Sequence, residues 1–264
     1  MWCRAVVFFA VVAGGALLDC DGGRHRARSS DTTARDDPEA ADPQASVARA
    51  GWPALRAARP AELCVTSGAI RPVDWWGFAV DHPMTRAVLT AMTTPAAALR
   101  FRYDGPTADS APLDSGELRR QIGLKLRSQD GCNVVYVMWT IEPSPRLWVT
   151  VKQNPGKQAY AECGANGYRN IKPHRSAPVP ALTDGGWHVL RADLRGTALE
   201  VVVDGILAWE GSLDQSVLSF DGPVGLRTDN GRFTVEFYAS ATPGAAPPPS
   251  PGSLPARCAS AEGD

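Results

Sequence analysis

The sequence predicts an all-β protein built as a sandwich of two antiparallel sheets, with a disordered segment before it and a Pro-rich tail after it. Apolar residues recur at every second position in several segments between 118 and 240, which is the periodicity of half-buried strands. Gly-, Asn- and Asp-containing turns separate these segments. No dependable helical periodicity interrupts the pattern, so strands must form the core.

The stretch 186–207 shows this pattern most clearly. Apolar residues alternate with polar ones over 186–194 and again over 199–203. Asp204-Gly205 then supplies the positive φ angles of a tight hairpin turn. We therefore expect three consecutive antiparallel strands here.

The strands on either side follow the same logic. Residues 120–128 alternate, 133–142 are apolar on both faces, and 146–152 alternate again after the turn at Pro143-Ser144-Pro145. Residues 233–239 give the last strand. The turn at Asp229-Asn230-Gly231 predicts a hairpin that leads into it.

The region before residue 118 is less regular. Segments 63–65, 73–80 and 96–103 are expected to be strands, and 105–116 is expected to be a surface loop rich in Pro, Asp and Ser. Trp75-Trp76 falls in the second segment. Adjacent strand residues point to opposite faces, so at most one of the two tryptophans should be exposed.

The N-terminus has the features of a signal peptide over residues 1–19, because an apolar run follows Arg4 and is short for a membrane span. Leu17-Leu18-Asp19-Cys20 resembles the lipobox of bacterial lipoproteins, although that motif has a small residue where Asp19 stands. The resemblance implies an exported protein whose Cys20 is lipidated and anchored to a membrane of the cell envelope. The alternative is an ordinary signal peptide cleaved elsewhere.

The expected organisation is therefore a signal peptide at 1–19, a flexible linker at 20–60, one sandwich domain at 61–240 and a Pro-rich tail at 241–264. The linker mixes charged residues with Ala, Pro and Ser, so it cannot bury enough apolar surface to order itself.

Six cysteines are present, and an exported protein can oxidise them. Removing Cys3 with the signal peptide and lipidating Cys20 leaves four, which allow three pairings. We favour Cys132–Cys163 and Cys64–Cys258. Zinc ligands usually come in close pairs, and the absence of a Cys-x-x-Cys pair argues against a zinc site.

The formal net charge of −1 gives no electrostatic basis for binding nucleic acid or an anionic membrane surface. We expect the protein to be a monomer. Its expected partner is a carbohydrate or a protein of the cell envelope.

Three motifs of the last third suggest a family. They are Gly186-Trp187-His188, the Leu-x-Val-x-Val-Asp-Gly run of 199–205, and the Gly-x-x-Gly-Leu-Arg-x-Asp-Asn-Gly run of 222–231. Together they resemble the concanavalin A-like, laminin G-like jelly roll. The resemblance covers 186–240 and, by strand pattern alone, 118–152. It implies the fold, but not one function, because lectins, carbohydrate-binding modules, adhesion domains and glycosidases share it.

The laminarinase-like glycosidases of that fold carry a Glu-x-Asp-x-Glu or Glu-x-Asp-x-x-Glu pattern, which supplies the two carboxyls of a retaining mechanism. This chain has neither pattern. We therefore expect no catalytic residues and a binding function, with a glycosidase or a purely structural envelope protein as alternatives.

The expected ligand-binding residues are Tyr136, Trp148, Lys152 and Arg127. If Ile141 pairs with Leu147, the first three share the solvent face of two neighbouring strands, and Lys125 and Arg127 flank them. Exposed aromatics with polar neighbours are suited to stacking on a sugar ring. Alternatively, the long connection 153–185 folds over this face and buries it.

No cofactor is expected. Calcium was considered, because laminin G-like relatives often bind it at a loop rim and turn oxygens are available. These come from Asp184, Asp221, Asp229 and Asn230.

Overall fold

The computed structural model describes residues 47–48, 50–91, 93–182, 185–240 and 256–257. The predicted signal peptide, Cys20 and Cys258 lie outside the described residues. In the described part of the chain, no helix is both long enough and apolar enough to cross a bilayer.

Seventeen strands make up most of the described chain, in the following order: β1 Arg56–Ala58, β2 Leu63–Ser67, β3 Arg71–Pro72, β4 Gly77–Val80, β5 Met84–Leu89, β6 Ala96–Pro106, β7 Arg120–Leu126, β8 Val134–Glu142, β9 Arg146–Lys152, β10 Tyr168–Asn170, β11 Arg175–Ser176, β12 Trp187–Arg195, β13 Ala198–Val203, β14 Ile206–Ser212, β15 Gly225–Asp229, β16 Gly231–Ala239 and β17 Ala256–Arg257. Short helical turns occupy Pro60–Glu62, Tyr160–Cys163 and Gln215–Ser219.

The strands form two sheets. The nine-stranded sheet has the order β11-β14-β13-β12-β6-β16-β4-β3, and β1 also pairs with β16. The eight-stranded sheet has the order β10-β9-β8-β7-β15-β5-β2-β17. The pairings are antiparallel except that of β17 with β2, so the all-β sandwich is confirmed.

The core lies between the two sheets and is filled by alternate residues of each strand. Phe101 of the nine-stranded sheet meets Trp139 of the eight-stranded sheet edge-on, with ring centroids 5.5 Å apart. Phe233 packs against Phe101 from the neighbouring strand at 6.1 Å. All three are fully buried, as expected for the inward positions of alternating strands.

The trio β12, β13 and β14 forms three consecutive antiparallel strands, as the alternation predicts. Asp204 and Gly205 have φ angles of 48° and 81°, which close the hairpin between β13 and β14. The Asp204 side chain also accepts a hydrogen bond from the backbone N–H of Val189, 2.7 Å away.

The predicted hairpin at Asp229-Asn230-Gly231 is wrong. Asp229 ends β15 in the eight-stranded sheet, whereas Gly231 begins β16 in the nine-stranded sheet. Asn230 has a φ of 56° and turns the chain from one sheet to the other. A left-handed residue between two strands fits a corner as well as a hairpin, and the short-range pattern does not distinguish them.

The register of β8 against β9 also differs from the expectation. Trp139 pairs with Leu147 and Met138 with Trp148, two residues away from the assumed alignment. A shift of two residues keeps every side chain on its own face. The predicted assignment of residues to the core face or to the outer face is therefore correct, although Tyr136, Met138 and Lys152 on the outer face are buried rather than exposed to solvent.

A disulfide joins Cys132 to Cys163, as predicted. Cys64 is also disulfide-bonded. Its predicted partner, Cys258, lies outside the described residues, so that pairing stays a prediction. The adjacent strand β17 runs alongside β2, with Ala256 opposite Cys64.

Two features of the first third depart from the expectations. Strand β5 was not predicted, and β1 lies within the segment expected to be linker. Trp75 and Trp76 are both exposed, because they lie in the turn before β4 rather than in a strand. The Asp74 side chain accepts the backbone N–H groups of Trp76 and Gly77 and holds that turn.

Candidate functional site

A cleft of about 340 Å³ opens over the outer face of the eight-stranded sheet. Its floor comes from β8 and β9, where Met138 lies directly opposite Trp148 and Tyr136 opposite Thr150. Tyr136, Met138 and Trp148 form an apolar cluster of their own, separate from the core between the sheets. The sheet is thus apolar on both sides at this point.

The next strands continue this floor as a cross-strand row. Met138 pairs with Gly123 of β7, Gly123 with Arg227 of β15, and Arg227 with Arg86 of β5. A Cβ atom at Gly123 would lie 2.6 Å from the Met138 sulfur and 2.2 Å from the Val137 carbonyl oxygen. A side chain at this position would therefore not fit, because the backbone of β8 and the Met138 side chain occupy that space.

Two connections between strands form the walls of the cleft above the sheet. Segment 107–119 contributes Leu113, Asp114, Ser115 and Arg119, and segment 164–170 contributes Ala165, Tyr168 and Asn170. The Asn230 side chain holds the first segment, since it accepts from the N–H of Ala111 and donates to the carbonyls of Ala111 and Arg119.

A buried polar network lies beside the apolar floor. Arg227 donates to both carboxylate oxygens of Asp229, at 2.9 and 3.2 Å. Gln121 donates to the same carboxylate at 2.6 Å and accepts from the hydroxyl of Thr140 at 3.3 Å. Burial opposes the charge on Arg227, but the Asp229 carboxylate more than offsets it, so the pKa of Arg227 lies above its usual value.

Tyrosine rings cover this network. The Arg227 guanidinium lies 5.3 Å from the centre of the Tyr136 ring, within the range of a cation–π contact. Tyr168 stacks on Tyr136 with ring centroids 6.3 Å apart and an interplanar angle of 26°. Burial raises the pKa of Tyr168, which is also hydrogen-bonded to Arg227, so its hydroxyl stays protonated.

Trp148 is half-buried at the edge of the cleft. Arg146 and Arg119 lie 4.7 and 5.5 Å from its ring centre. Its indole Nε1–H is buried and has no hydrogen-bond partner among the described residues. A buried donor without an acceptor costs free energy, and because this nitrogen is not accessible, a ligand in the cleft would contact the ring of Trp148 rather than its N–H.

The four predicted binding residues do not all meet here. Tyr136 and Trp148 line the cleft. Lys152 is fully buried, and its Nζ donates to the carbonyl of Gly131 at 2.8 Å and lies 4.4 Å from the Tyr160 ring centre. Arg127 donates to the carbonyl of Phe220 at 2.8 Å and lies 3.7 Å from the Asp221 carboxylate. Neither cation lines the cleft.

The sequence left two alternatives for the aromatic face: it is exposed and binds a ligand, or the connection 153–185 buries it. Each alternative describes part of the structure. Tyr168–Asn170 forms β10, which pairs with β9 and covers Tyr136, so the tyrosine is buried. Trp148 and Thr150 remain partly accessible beside it. The connection thus walls the aromatic face and leaves a cleft. The Lys125 side chain, expected to flank the face, is buried.

Sequence reasoning missed Arg86, Arg119, Tyr168, Asn170, Arg227 and Gln121 as cleft residues. Alternation within β5 and β15 would have placed Arg86 and Arg227 on an outward face. Their position beside the aromatics depends on strand order, which local patterns do not reveal.

The oxygens considered for calcium are dispersed. Asp229 is held by Arg227 and Gln121, Asn230 binds segment 107–119, and the Asp221 side chain accepts the N–H of Gly222. Asp184 lies outside the described residues. Within the described ranges, no group of three or more His, Cys, Asp or Glu side chains could hold a metal ion.

No protein-family model and no curated protein matches this chain. Solved structures with a similar arrangement include a carbohydrate-binding module from Bacillus subtilis, with 12% identity over 67% of this chain and 94% of that one and a TM-score of 0.47. A second is the Crh5 transglycosylase in complex with NAG, with 14% identity, coverage of 72% and 85%, and a TM-score of 0.40.

A third similar structure is domain 4 of AbnA, an extracellular arabinanase from Geobacillus stearothermophilus, in complex with arabinotriose. It has 10% identity, coverage of 69% of this chain and 84% of that one, and a TM-score of 0.37. The likeness is one of antiparallel sandwich architecture, which the strand pairing of this chain shows by itself.

Proposed function

We propose that this protein binds a carbohydrate in the cleft on the outer face of the eight-stranded sheet and does not cleave it. The observation that carries the proposal is the pair of aromatic rings that stay accessible in the cleft, Trp148 and Tyr168, which pack on the buried Tyr136 beside polar side chains. Aromatic rings stack on the C–H faces of sugars, and nearby amides, hydroxyls and guanidinium groups can hydrogen-bond their hydroxyls.

The dimensions of the cleft support this proposal. A volume of about 340 Å³ is at the small end of the range for ligand sites, and suits one or two sugar rings. Thr150 and Asn170 bond to each other at 2.8 Å beside the aromatics and line the same cleft.

The glycosidase alternative receives less support from this site. Hydrolysis requires two carboxyl groups on either side of the scissile bond. Asp114 is the single carboxylate among the described residues that line the cleft. Asp229 lies nearby but is fully buried and doubly bonded to Arg227.

A polysaccharide-binding assay on the folded chain would test the proposal, with Trp148→Ala as the site variant and Trp187→Ala as its control. Trp187 lies on the other sheet and is exposed. Specific binding that Trp148→Ala abolishes and Trp187→Ala retains would support the proposal. Binding of a purified envelope protein but of no glycan would favour the partner-binding alternative.

We also propose that the protein is exported and anchored to the cell envelope through a lipid on Cys20. The lipobox-like sequence before Cys20 supports this, as does the disulfide between Cys132 and Cys163, which requires an oxidising compartment to persist. Mass spectrometry of the membrane fraction would detect the lipidated N-terminal Cys20. Release of a Cys20→Ala variant into the soluble fraction is the expected result, and unchanged membrane retention would contradict it.

A further inference from the structure

Two arginines lie directly opposite each other at one end of the cleft. Arg86 of β5 and Arg227 of β15 are cross-strand partners, and both line the cleft. Like charges in this arrangement repel, and the effect is largest where solvent is excluded. Arg227 is buried and Arg86 is half-buried, so water screens their repulsion only in part.

The two arginines differ in their counterions. Arg227 has Asp229, with two hydrogen bonds to its carboxylate. The third arginine of the cleft, Arg119, donates to Glu117 at 2.6 Å. The Arg86 guanidinium has no hydrogen bond or ion pair to any of the described residues.

The acidic side chains of the cleft do not neutralise its positive charge. Arg86, Arg119 and Arg227 line it together with one carboxylate, Asp114. The Tyr168 hydroxyl interacts with both Arg86 and Arg227, and burial keeps it protonated and therefore neutral. Arg86 is thus the cation of the cleft for which the described chain offers no anion.

We propose that the carbohydrate bound in this cleft is acidic, and that its anionic substituent, a carboxylate or a sulfate ester, pairs with Arg86. This inference rests on the proposed carbohydrate-binding function. A guanidinium can bond both oxygens of such a group at once, which gives direction as well as charge. The glycan chain then runs along the cleft from Arg86 on β5 toward Trp148 on β9, with β15, β7 and β8 between these two strands.

The test compares polymers that differ only in their charged group. Wild-type protein, Arg86→Gln and Arg71→Gln are titrated with polygalacturonate and its carboxyl-reduced form, and with dextran sulfate and dextran. Arg71 lies on the exposed edge strand β3 of the other sheet, so Arg71→Gln gives the same change of net charge away from the cleft. A panel of neutral glycans is included.

The expected result is that one charged polymer binds and its neutral counterpart binds at least about tenfold more weakly. Arg86→Gln should lose that difference, and Arg71→Gln should keep it. The pair that responds identifies the group as a carboxylate or a sulfate.

Two other results would overturn the inference in distinguishable ways. Binding of a neutral glycan that needs Trp148 but not Arg86 would reject the acidic ligand and leave carbohydrate binding in place. Failure of every glycan, charged or neutral, would reject both proposals. Equal loss in Arg86→Gln and Arg71→Gln would show non-specific attraction and also reject the pairing with Arg86.

A second readout does not need a ligand. If Arg86 lacks a counterion within the chain, Arg86→Gln removes repulsion, so its melting temperature in the free state should equal the wild-type value or exceed it by roughly 1–2 °C. A fall of several degrees would show that Arg86 has a stabilising partner within the protein, which contradicts the inference.

Discussion

The outer faces of the two sheets contain the same kinds of side chain but differ in what those side chains can do. On the nine-stranded sheet, Trp187 is exposed and the Arg100 guanidinium lies 4.0 Å from its ring centre. Arg100 is also paired with Glu236 at 2.6 Å. On the eight-stranded sheet, Arg119 and Arg146 likewise lie near Trp148, but two loops rise beside them. At the other end of the same cleft, Arg86 has no counterion among the described residues.

This difference shows that residue type alone does not make a binding site. The Arg100 guanidinium contacts both the Trp187 ring and the Glu236 carboxylate. These three residues lie on the adjacent strands β12, β6 and β16. Trp148 instead lies beside segments 107–119 and 164–170, which make this face concave. The two connections give the site its shape, and Arg86, which has no counterion among the described residues, gives it a positive charge.

The buried ion pair of the eight-stranded sheet should give the largest effect. Asp229→Asn leaves the buried Arg227 guanidinium without its counterion. We expect the free energy of unfolding to fall by about 3–5 kcal/mol, measured by urea denaturation. A loss below about 1 kcal/mol would show that Arg227 reaches solvent or another acid.

The disulfide should give the next largest effect, because it ties the residue before segment 164–170, Cys163, to Cys132 just before the start of β8. Replacing both Cys132 and Cys163 by Ser opens a loop with a sequence separation of 31 residues. The expected loss of stability is about 3 kcal/mol. Glycan affinity should also fall, because the cleft residues Tyr168 and Asn170 lie a short distance after Cys163 in the chain. Unchanged affinity in the folded double variant would show that β10 alone holds this wall.

Matched tryptophan variants would test the comparison itself. Trp148→Ala should weaken glycan binding by about 2 kcal/mol, or roughly thirtyfold, as is typical of an aromatic anchor. Trp187→Ala should change affinity by less than about twofold. Calorimetric titration of both variants checks this, and a reversed order of effects would move the site to the nine-stranded sheet.

The smallest effect is expected from Asp193 on the nine-stranded sheet. Burial raises its pKa, although Arg195 pairs with it at 3.2 Å. A carboxyl with a raised pKa binds its proton more tightly in the folded state, so its contribution to stability decreases as the pH rises above the usual aspartate range. Asp193→Asn should therefore leave stability unchanged at pH 3 and raise it slightly at pH 7. Thermal melts at both pH values measure this, and a clear loss at pH 7 would contradict it.

Much of the fold follows from local sequence. The two-residue period of β7, β8 and β9 placed Ile122, Leu124 and Trp139 on the core side, where the structure has them. The assignment of a side chain to one face of a sheet does not change when the predicted register is wrong by two residues. The error between β8 and β9 therefore did not affect the assignment of Tyr136 and Trp148 to the outer face.

The rest of the site depends on contacts that no local pattern encodes. Lys152 occupies the outer face as predicted, but the Tyr160 and Tyr168 rings cover it and its charge meets the carbonyl of Gly131. Arg227 becomes a cleft residue only because β15 lies between β5 and β7. The corner at Asn230 was mistaken for a hairpin for the same reason, because its two strands belong to different sheets.

Asn230 has a consequence for how this protein could diversify. Its amide anchors the connection before β7 at two points, Ala111 and Arg119, while its backbone carries the chain between the sheets. The residues between those anchors, including Leu113, Asp114 and Ser115, form one rim of the cleft without belonging to either sheet. Replacing that short span should therefore change the ligand specificity of the cleft while both sheets keep their structure.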